Sequence, residues 1–278
     1  MNQKIALTVV AAFLGTGAMA QSAKPAQPEK AASPAKAAQP VAPADAPEPA
    51  ISPEAMEALK KMGAFLRAQQ AFQVLAKVTT DEVLPNGQKV ELASDVDLKV
   101  KKPNRLTALS TSDRKHRQIF YDGKAFTLYS PRVGYYATIE APPTVRELVE
   151  LLTTKYGVEL PMADLFLWGT EQSGVADIKS AIYMGPTKIE GADCDHYAFR
   201  QDEVDWQIWI QQGDKPLPRK MVITTTTEVS RPDYSVTYKW NLAPRLDDKM
   251  FTFVPTKDTY RIEIEQLDQQ PASLGRRD

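Results

Sequence analysis

The segment spanning residues 194–227 constrains the fold of this chain more than any other. In Val204-Asp205-Trp206-Gln207-Ile208-Trp209-Ile210, the side chains of Val204, Trp206, Ile208 and Ile210 share one face of an extended strand. Asp205, Gln207, Trp209 and Gln211 share the other. A turn at Gly213-Asp214-Lys215-Pro216 follows, and Leu217-Pro218-Arg219-Lys220 leads into a Thr-rich strand over 221–227. Period-two alternation on both sides of a Gly/Pro turn predicts a half-buried antiparallel hairpin. A sheet with one apolar face needs a cover, and the cover is a natural place for function.

The rest of the chain sets the limits of that sheet. Residues 1–20 carry a polar start with Lys4, an apolar stretch from Ile5 to Leu14, and Ala18-Met19-Ala20 before Gln21. This pattern predicts a cleaved signal peptide; a retained membrane anchor is the alternative. No cysteine stands at the cleavage point for lipid attachment. Residues 21–50 are nearly all Ala, Pro, Lys, Gln and Glu, a composition with too little apolar area to offset chain entropy. They are expected to form an extended tether, acting as a spacer or as a partner-binding arm. One folded domain is expected over 51–267, followed by a flexible tail over 268–278. The expected location is the periplasm, with no membrane span.

Composition excludes some partners. The net charge is −1 and there is no long basic run, so nucleic acid is not an expected partner. Cys194 is the sole cysteine, so the core is held without an internal disulfide.

Ser52-Pro53-Glu54 opens a helix, with Ser as N-cap, Pro at the first helical position and an acid in the first turn. Met56, Leu59, Met62, Phe65 and Leu66 follow at helical spacing to about Gln70. Strands are expected over 72–83 and 89–100 around Asn86-Gly87, then over 106–112, 118–121, 125–129 and 135–139. Asp122-Gly123 is expected to form a type I′ turn with both residues at positive φ. Thr144-Val145-Arg146-Glu147 is a capping box, with Val145, Leu148, Val149, Leu152 and Tyr156 at helical spacing up to Gly157. A second short helix is expected over 161–168, apolar almost all round. Strands resume over 177–183, 187–189, 193–201, 204–211, 221–229 and 235–242, with 251–255 and 259–264 last. Short connections imply antiparallel pairing. The expected fold class is α+β, mainly β: a long curved antiparallel sheet forming a half-open barrel, with an N-terminal helix and a two-helix lid inserted mid-chain.

Tyr121-Asp122-Gly123-Lys124 with Leu128-Tyr129-Ser130-Pro131, Leu217-Pro218-Arg219-Lys220 before a Thr-rich strand, and Phe251-Thr252-Phe253-Val254-Pro255 near the end form a set. Together they resemble the bacterial lipoprotein carriers (LolA/LolB) over about residues 51–255. More specifically, the chain resembles a DUF family of predicted periplasmic proteins in that superfamily. The resemblance implies a half-open antiparallel barrel whose helices lid an apolar cavity, which holds acyl chains in the carriers. It brings no ligand-contact residue over to this chain.

The candidate ligand-binding set lies where lid meets sheet: Leu148, Leu152, Met162, Leu165, Phe166, Trp168, Trp206 and Ile208. Two readings stand for it, a movable lid over a lipid-sized cleft and a helix pair that completes the core. Trp209 points with polar neighbours, as a surface contact or as a ring covered by a nearby side chain. Tyr135 and Tyr136 carry the same ambiguity. Cys194 and His196 share a strand face, but two ligands fall short of a zinc set, so no metal and no cofactor are expected. A buried thiol beside a hydrogen-bonded histidine is the simpler reading. The run Asp113-Arg114-Lys115-His116-Arg117 reads as a solvated strand end or as a contact for an anionic surface. There is no phosphate loop, nucleophile elbow or metalloprotease helix, so no catalytic residue is assigned. The expected function is non-catalytic binding of a lipid, acyl chain or other hydrophobic ligand. The alternative is an envelope protein-interaction or sensor module with a filled cavity.

Overall fold

A computed structural model describes residues 50–170 and 173–267. The expected signal peptide, the tether apart from Ala50, and the tail lie outside the described residues. Helix α1 (Pro53–Ala68) begins where its cap places it, with the Ala55 amide donating to Ser52 Oγ. Its apolar stripe, Leu59, Met62 and Leu66, is buried.

Six strands follow as a meander: β1 (Ala71–Val83), β2 (Lys89–Lys101), β3 (Arg105–Ser112), β4 (His116–Tyr121), β5 (Ala125–Ser130) and β6 (Tyr135–Glu140). An insert then carries α2 (Val145–Leu151), a π-helical turn (Leu152–Tyr156), the single-turn α3 (Asp164–Leu167) and a 3-10 turn (Val175–Asp177). The second meander is β7 (Ser180–Ile189), β8 (Ala192–Arg200), β9 (Val204–Gln211), β10 (Pro218–Thr225) and β11 (Asp233–Asn241). A 3-10 turn (Asp248–Phe251) and β12 (Tyr260–Ile262) end the domain. The strands form one curved, open sheet in the order β12-β6-β5-β4-β3-β2-β1-β11-β10-β9-β8-β7. The two meanders join through the antiparallel β1–β11 pair. The expected fold class, a mainly β sheet with an N-terminal helix and a mid-chain helical insert, is the fold observed.

One face of the sheet is apolar and covered. Phe72, Val74 and Ala76 of β1, Leu98 and Val100 of β2, and Trp206 and Ile208 of β9 are buried there with α1 and the insert in a single core. Burying one such large side chain contributes about 1.5–3 kcal/mol. The free edge of β7 is capped by the start of the domain: the Ser52 amide donates to the Ala181 carbonyl at 2.9 Å, and the Ala181 amide to the Ala50 carbonyl at 3.1 Å. That contact shields the start of the β7 edge, while Ile182 and Met184 further along the strand stay exposed.

Several local expectations are corrected. Only Gly123 of the Asp122-Gly123 pair has positive φ, at 85°. Asp122 instead accepts the Lys124 and Ala125 amides with its carboxylate, an Asx-type turn in place of type I′. The strands expected over 177–183 and 187–189 are one strand, because a bulge between Tyr183 and Gly185 keeps the ladder going. The strand expected over 221–229 ends at Thr225, where the ladder with β11 and β9 runs out. Residues 251–255 are not a strand: Phe253 is drawn onto the rings of Phe120, Tyr129 and Tyr136, at 5.4, 5.0 and 4.8 Å between centroids. That crossing brings the chain back to the β6 edge, so β12 pairs with β6 in parallel, against the expectation of wholly antiparallel pairing.

Candidate functional site

The insert closes onto the sheet through residues whose local geometry follows from sequence. The Thr144 hydroxyl accepts the Glu147 amide at 3.2 Å and donates to the Glu147 carboxylate at 2.7 Å, so α2 starts at the capping box. The helix stays α for only seven residues, widens into the π turn, and stops at Gly157 with φ 62°. The second lid helix, expected over 161–168, shrinks to α3 because Met162 adopts φ 56° and breaks the run. A left-handed methionine is a strained position.

The expected ligand-binding residues come together. Leu148, Leu152, Met162, Leu165 and Trp168 of the insert are buried against Trp206 and Ile208 of β9, in the core that includes α1. Phe166 packs at the margin of this core, with its ring 6.3 Å from Phe72. Trp206 is the hub. Its ring stacks on Phe199 at 4.1 Å and 16°, and Trp168 lies across it at 5.7 Å and 48°. Its indole donates to Gln201 Oε1 at 3.1 Å, and Gln201 Nε2 donates to the Gly174 carbonyl at 2.7 Å. The space facing Trp206 is occupied by the chain's own Trp168.

Polar ties between insert and body sit at its margins. Arg67 donates to the Trp168 carbonyl at 3.0 Å, the Tyr121 hydroxyl to the Pro142 carbonyl at 2.6 Å, and the Val145 amide to the Pro103 carbonyl at 3.0 Å. Burial pushes the Tyr121 hydroxyl up to about 12. Gly63 allows the closest backbone approach. A Cβ there would meet the Gly169 nitrogen at 3.1 Å and the Trp168 carbonyl carbon at 3.2 Å, so α1 touches the insert without an intervening side chain.

Asp164 stands out among the apolar residues of α3. Its Oδ2 is buried without a hydrogen-bond partner, as is the Trp168 Nε1, although the residue as a whole keeps some exposure. Burial raises its carboxyl to about 6, and the nearby Trp168 N–H and Tyr238 O–H offset part of that rise. Burial, with the Asp164 charge added to it, holds the Tyr234 and Tyr238 hydroxyls above their usual range. A single acid inside the otherwise apolar stretch 160–168 was the sequence signal for this residue. Gly63, inside a helix of good formers, was the signal for the close approach.

The opposite face is different. Trp209 is half-buried there, its ring stacked on His196 at 4.1 Å and 8°, with Lys220 Nζ 5.1 Å from its centroid. Neighbouring side chains therefore cover it. The His196 Nε2–H donates to Gln207 Oε1 at 3.0 Å, and burial lowers the imidazole pKa. Cys194 is fully buried, and burial raises its thiol. A buried, protonated thiol is a poor nucleophile. Among the described residues no group of three His, Cys, Asp or Glu side chains is placed to hold a metal. Tyr135 is exposed against Tyr260, and Tyr136 packs on Phe253. Arg114 pairs with Glu82 at 3.3 Å, in the charged run over 113–117. A groove of about 650 Å³ opens over β1, β2, β3 and β11 on this uncovered face.

A family model described as "Predicted periplasmic protein (DUF2092)" matches residues 55–265. Comparison with curated proteins returns no match. Among solved structures, the chain is similar to the lipoprotein LppX of Mycobacterium tuberculosis at 12% identity and TM-score 0.46, with 70% of this chain and 100% of that one covered. It is similar to LprF of Mycobacterium bovis at 14% identity and TM-score 0.44, covering 72% and 97%. A LolA superfamily protein of Nitrosomonas europaea aligns at 14% identity and TM-score 0.31, covering 72% and 97%.

Proposed function

The chain belongs to the DUF2092 family of predicted periplasmic proteins, and on that premise we propose that it is a non-catalytic binding protein for a hydrophobic ligand. The ligand, a lipid or acyl chain, is held between the sheet and the insert, against Leu148, Leu152, Met162, Leu165, Phe166, Trp168, Trp206 and Ile208. Entry works by displacement: the insert lifts, and ligand methylenes replace the contacts that Trp168 makes with Trp206. No bond is made or broken.

The observation that carries this reading is the build of the insert. It is an apolar cover of short, interrupted helical pieces, hydrogen-bonded to the body mainly at its margins. Such a segment has low local stability compared with a strand ladder. The family description and the absence, among the described residues, of a helix long and apolar enough to cross a membrane accord with a periplasmic setting.

The test is extraction of the protein purified from periplasm, followed by mass spectrometry, together with titration of a fluorescent fatty acid. A co-purifying lipid and saturable binding are expected. Absence of both sinks the proposal. A second reading, an envelope interaction module with a filled core, draws on the same close packing of Trp168 on Trp206. It predicts no ligand, and a crosslinked envelope partner that is lost when residues 21–50 are deleted.

A further inference from the structure

We propose that the groove on the uncovered face is a second binding site, for a single-chain amphiphile with an anionic head. Its volume of about 650 Å³ falls in the range of small-ligand sites, about 300–1,000 Å³. Its floor contains the outward row Leu109, Asp97, Leu75 and Lys239, one residue from each of β3, β2, β1 and β11. Leu75 is 46% exposed at the middle of that row. Three strand spacings across the row make a path of about 14 Å, enough for an extended medium-length acyl chain over Leu75 and Leu109.

The charges choose the head. The acids on the floor are engaged: Asp97 accepts from Gln73 at 2.8 Å and pairs with Lys99, and Asp95 faces Lys77 at 3.8 Å. The cations at the other end are not. Arg219 and Lys239 form no ion pair with a described carboxylate, and the Arg219 Nε is buried without a hydrogen-bond partner. Arg219 is the extra residue of the β10 bulge between Pro218 and Lys220, a device that turns a side chain out of its normal row. Lys220, next in sequence, is engaged over the Trp209 ring and lies outside the lining. Glu190, exposed on the β7–β8 turn, is the remaining carboxylate of the lining. A guanidinium with a buried, unsatisfied N–H is stabilised by an oxyanion, which accepts two parallel hydrogen bonds. A cationic head would meet Arg219 and Lys239 instead. This site does not depend on the insert opening.

The experiment is isothermal titration of the purified full chain with dodecanoate and with dodecyltrimethylammonium, each as monomer. Wild type is compared with Arg219→Gln, Lys239→Gln and Leu75→Glu, whose folding is checked by thermal melting. All three positions lie on the face away from the insert. One dodecanoate per chain is expected, weakened about ten-fold or more in each variant and weakened by added salt. Dodecanoate affinity that is unchanged in the variants overturns the groove site and leaves the reading of the insert intact. Equal binding of the cationic probe overturns the anionic head. Binding to anionic vesicles without binding to monomeric dodecanoate overturns a molecular site in favour of a docking surface.

Discussion

The two faces of this sheet are built from alternate residues of the same strands, yet they have opposite character. Trp206 and Trp209 stand three positions apart on β9. Trp206 is the hub of the core, its ring stacked on Phe199 and crossed by Trp168, and its N–H satisfied by Gln201. Trp209 rests on an imidazole and a lysine in a polar, partly solvated layer. The covered face draws its stability from apolar area, whereas the open face keeps charges and a groove. A sheet of this length therefore separates stability from a surface free to bind.

The largest expected effect comes from breaking the covered face at its hub. Trp206→Ala should lower stability by about 3–5 kcal/mol, read as a fall in the midpoint of urea unfolding. An effect below about 1 kcal/mol would mean that the insert does not pack as described.

Next is the titration of Asp164. Its folded pKa, about 6, lies above the ordinary 3.8. Between those values the folded chain holds a proton that the unfolded chain has released. This group's contribution to stability therefore rises as pH falls from about 6 toward 3.8, and is lost as pH rises through about 6. The shift corresponds to at most roughly 3 kcal/mol. Asp205 and Asp248 are shifted the other way by cationic partners, and so is Asp81, where Lys89 and the Asp233 amide outweigh the opposing effect of burial; all three favour the folded state at higher pH. The useful quantity is thus the difference between wild type and Asp164→Asn across pH 4–7. The variant should be the more stable at pH 7, and its advantage should shrink toward pH 4.

Gly63→Val probes the seam between α1 and the insert. The new side chain collides with the Gly169 and Trp168 backbone, and a loss of about 1–3 kcal/mol is expected. Hydrogen exchange should show the loss concentrated in residues 160–170, with the β1–β6 ladder still protected. Uniform deprotection would place the seam in the global core. The smallest effect belongs to the open face: Trp209→Ala should change stability by under about 1 kcal/mol, several-fold less than its neighbour on the covered side. A loss matching that of Trp206→Ala would erase the contrast between the faces.

Much of this was legible in the chain. The Ser52-Pro53 start and the Thr144–Glu147 box sit where their hydrogen bonds require, because caps are local chemistry. The alternation in 204–211 placed Trp206 inward and Trp209 outward, because strand period is a backbone property. Three features were hidden. Phe251-Thr252-Phe253 reads as a strand, but its partners are rings on β4, β5 and β6, distant in sequence. The apolar run before Trp168 reads as a helix, but Met162 is left-handed and buried in the shared core, and one helical turn is left. The groove takes residues from separate strands, and only the sheet order makes Arg219, Lys239 and Leu75 neighbours.

The helix starts, most of the strands, the two faces of β9 and the helical nature of the insert follow from dihedral preferences and from periodicity within a few residues. The joining of the two meanders by β1 and β11, the placing of Trp168 before Trp206, and the gathering beside exposed Leu75 of Arg219 and Lys239, which pair with no described carboxylate, come from tertiary structure. Those outcomes depend on contacts between residues tens to more than a hundred positions apart, which no local pattern encodes.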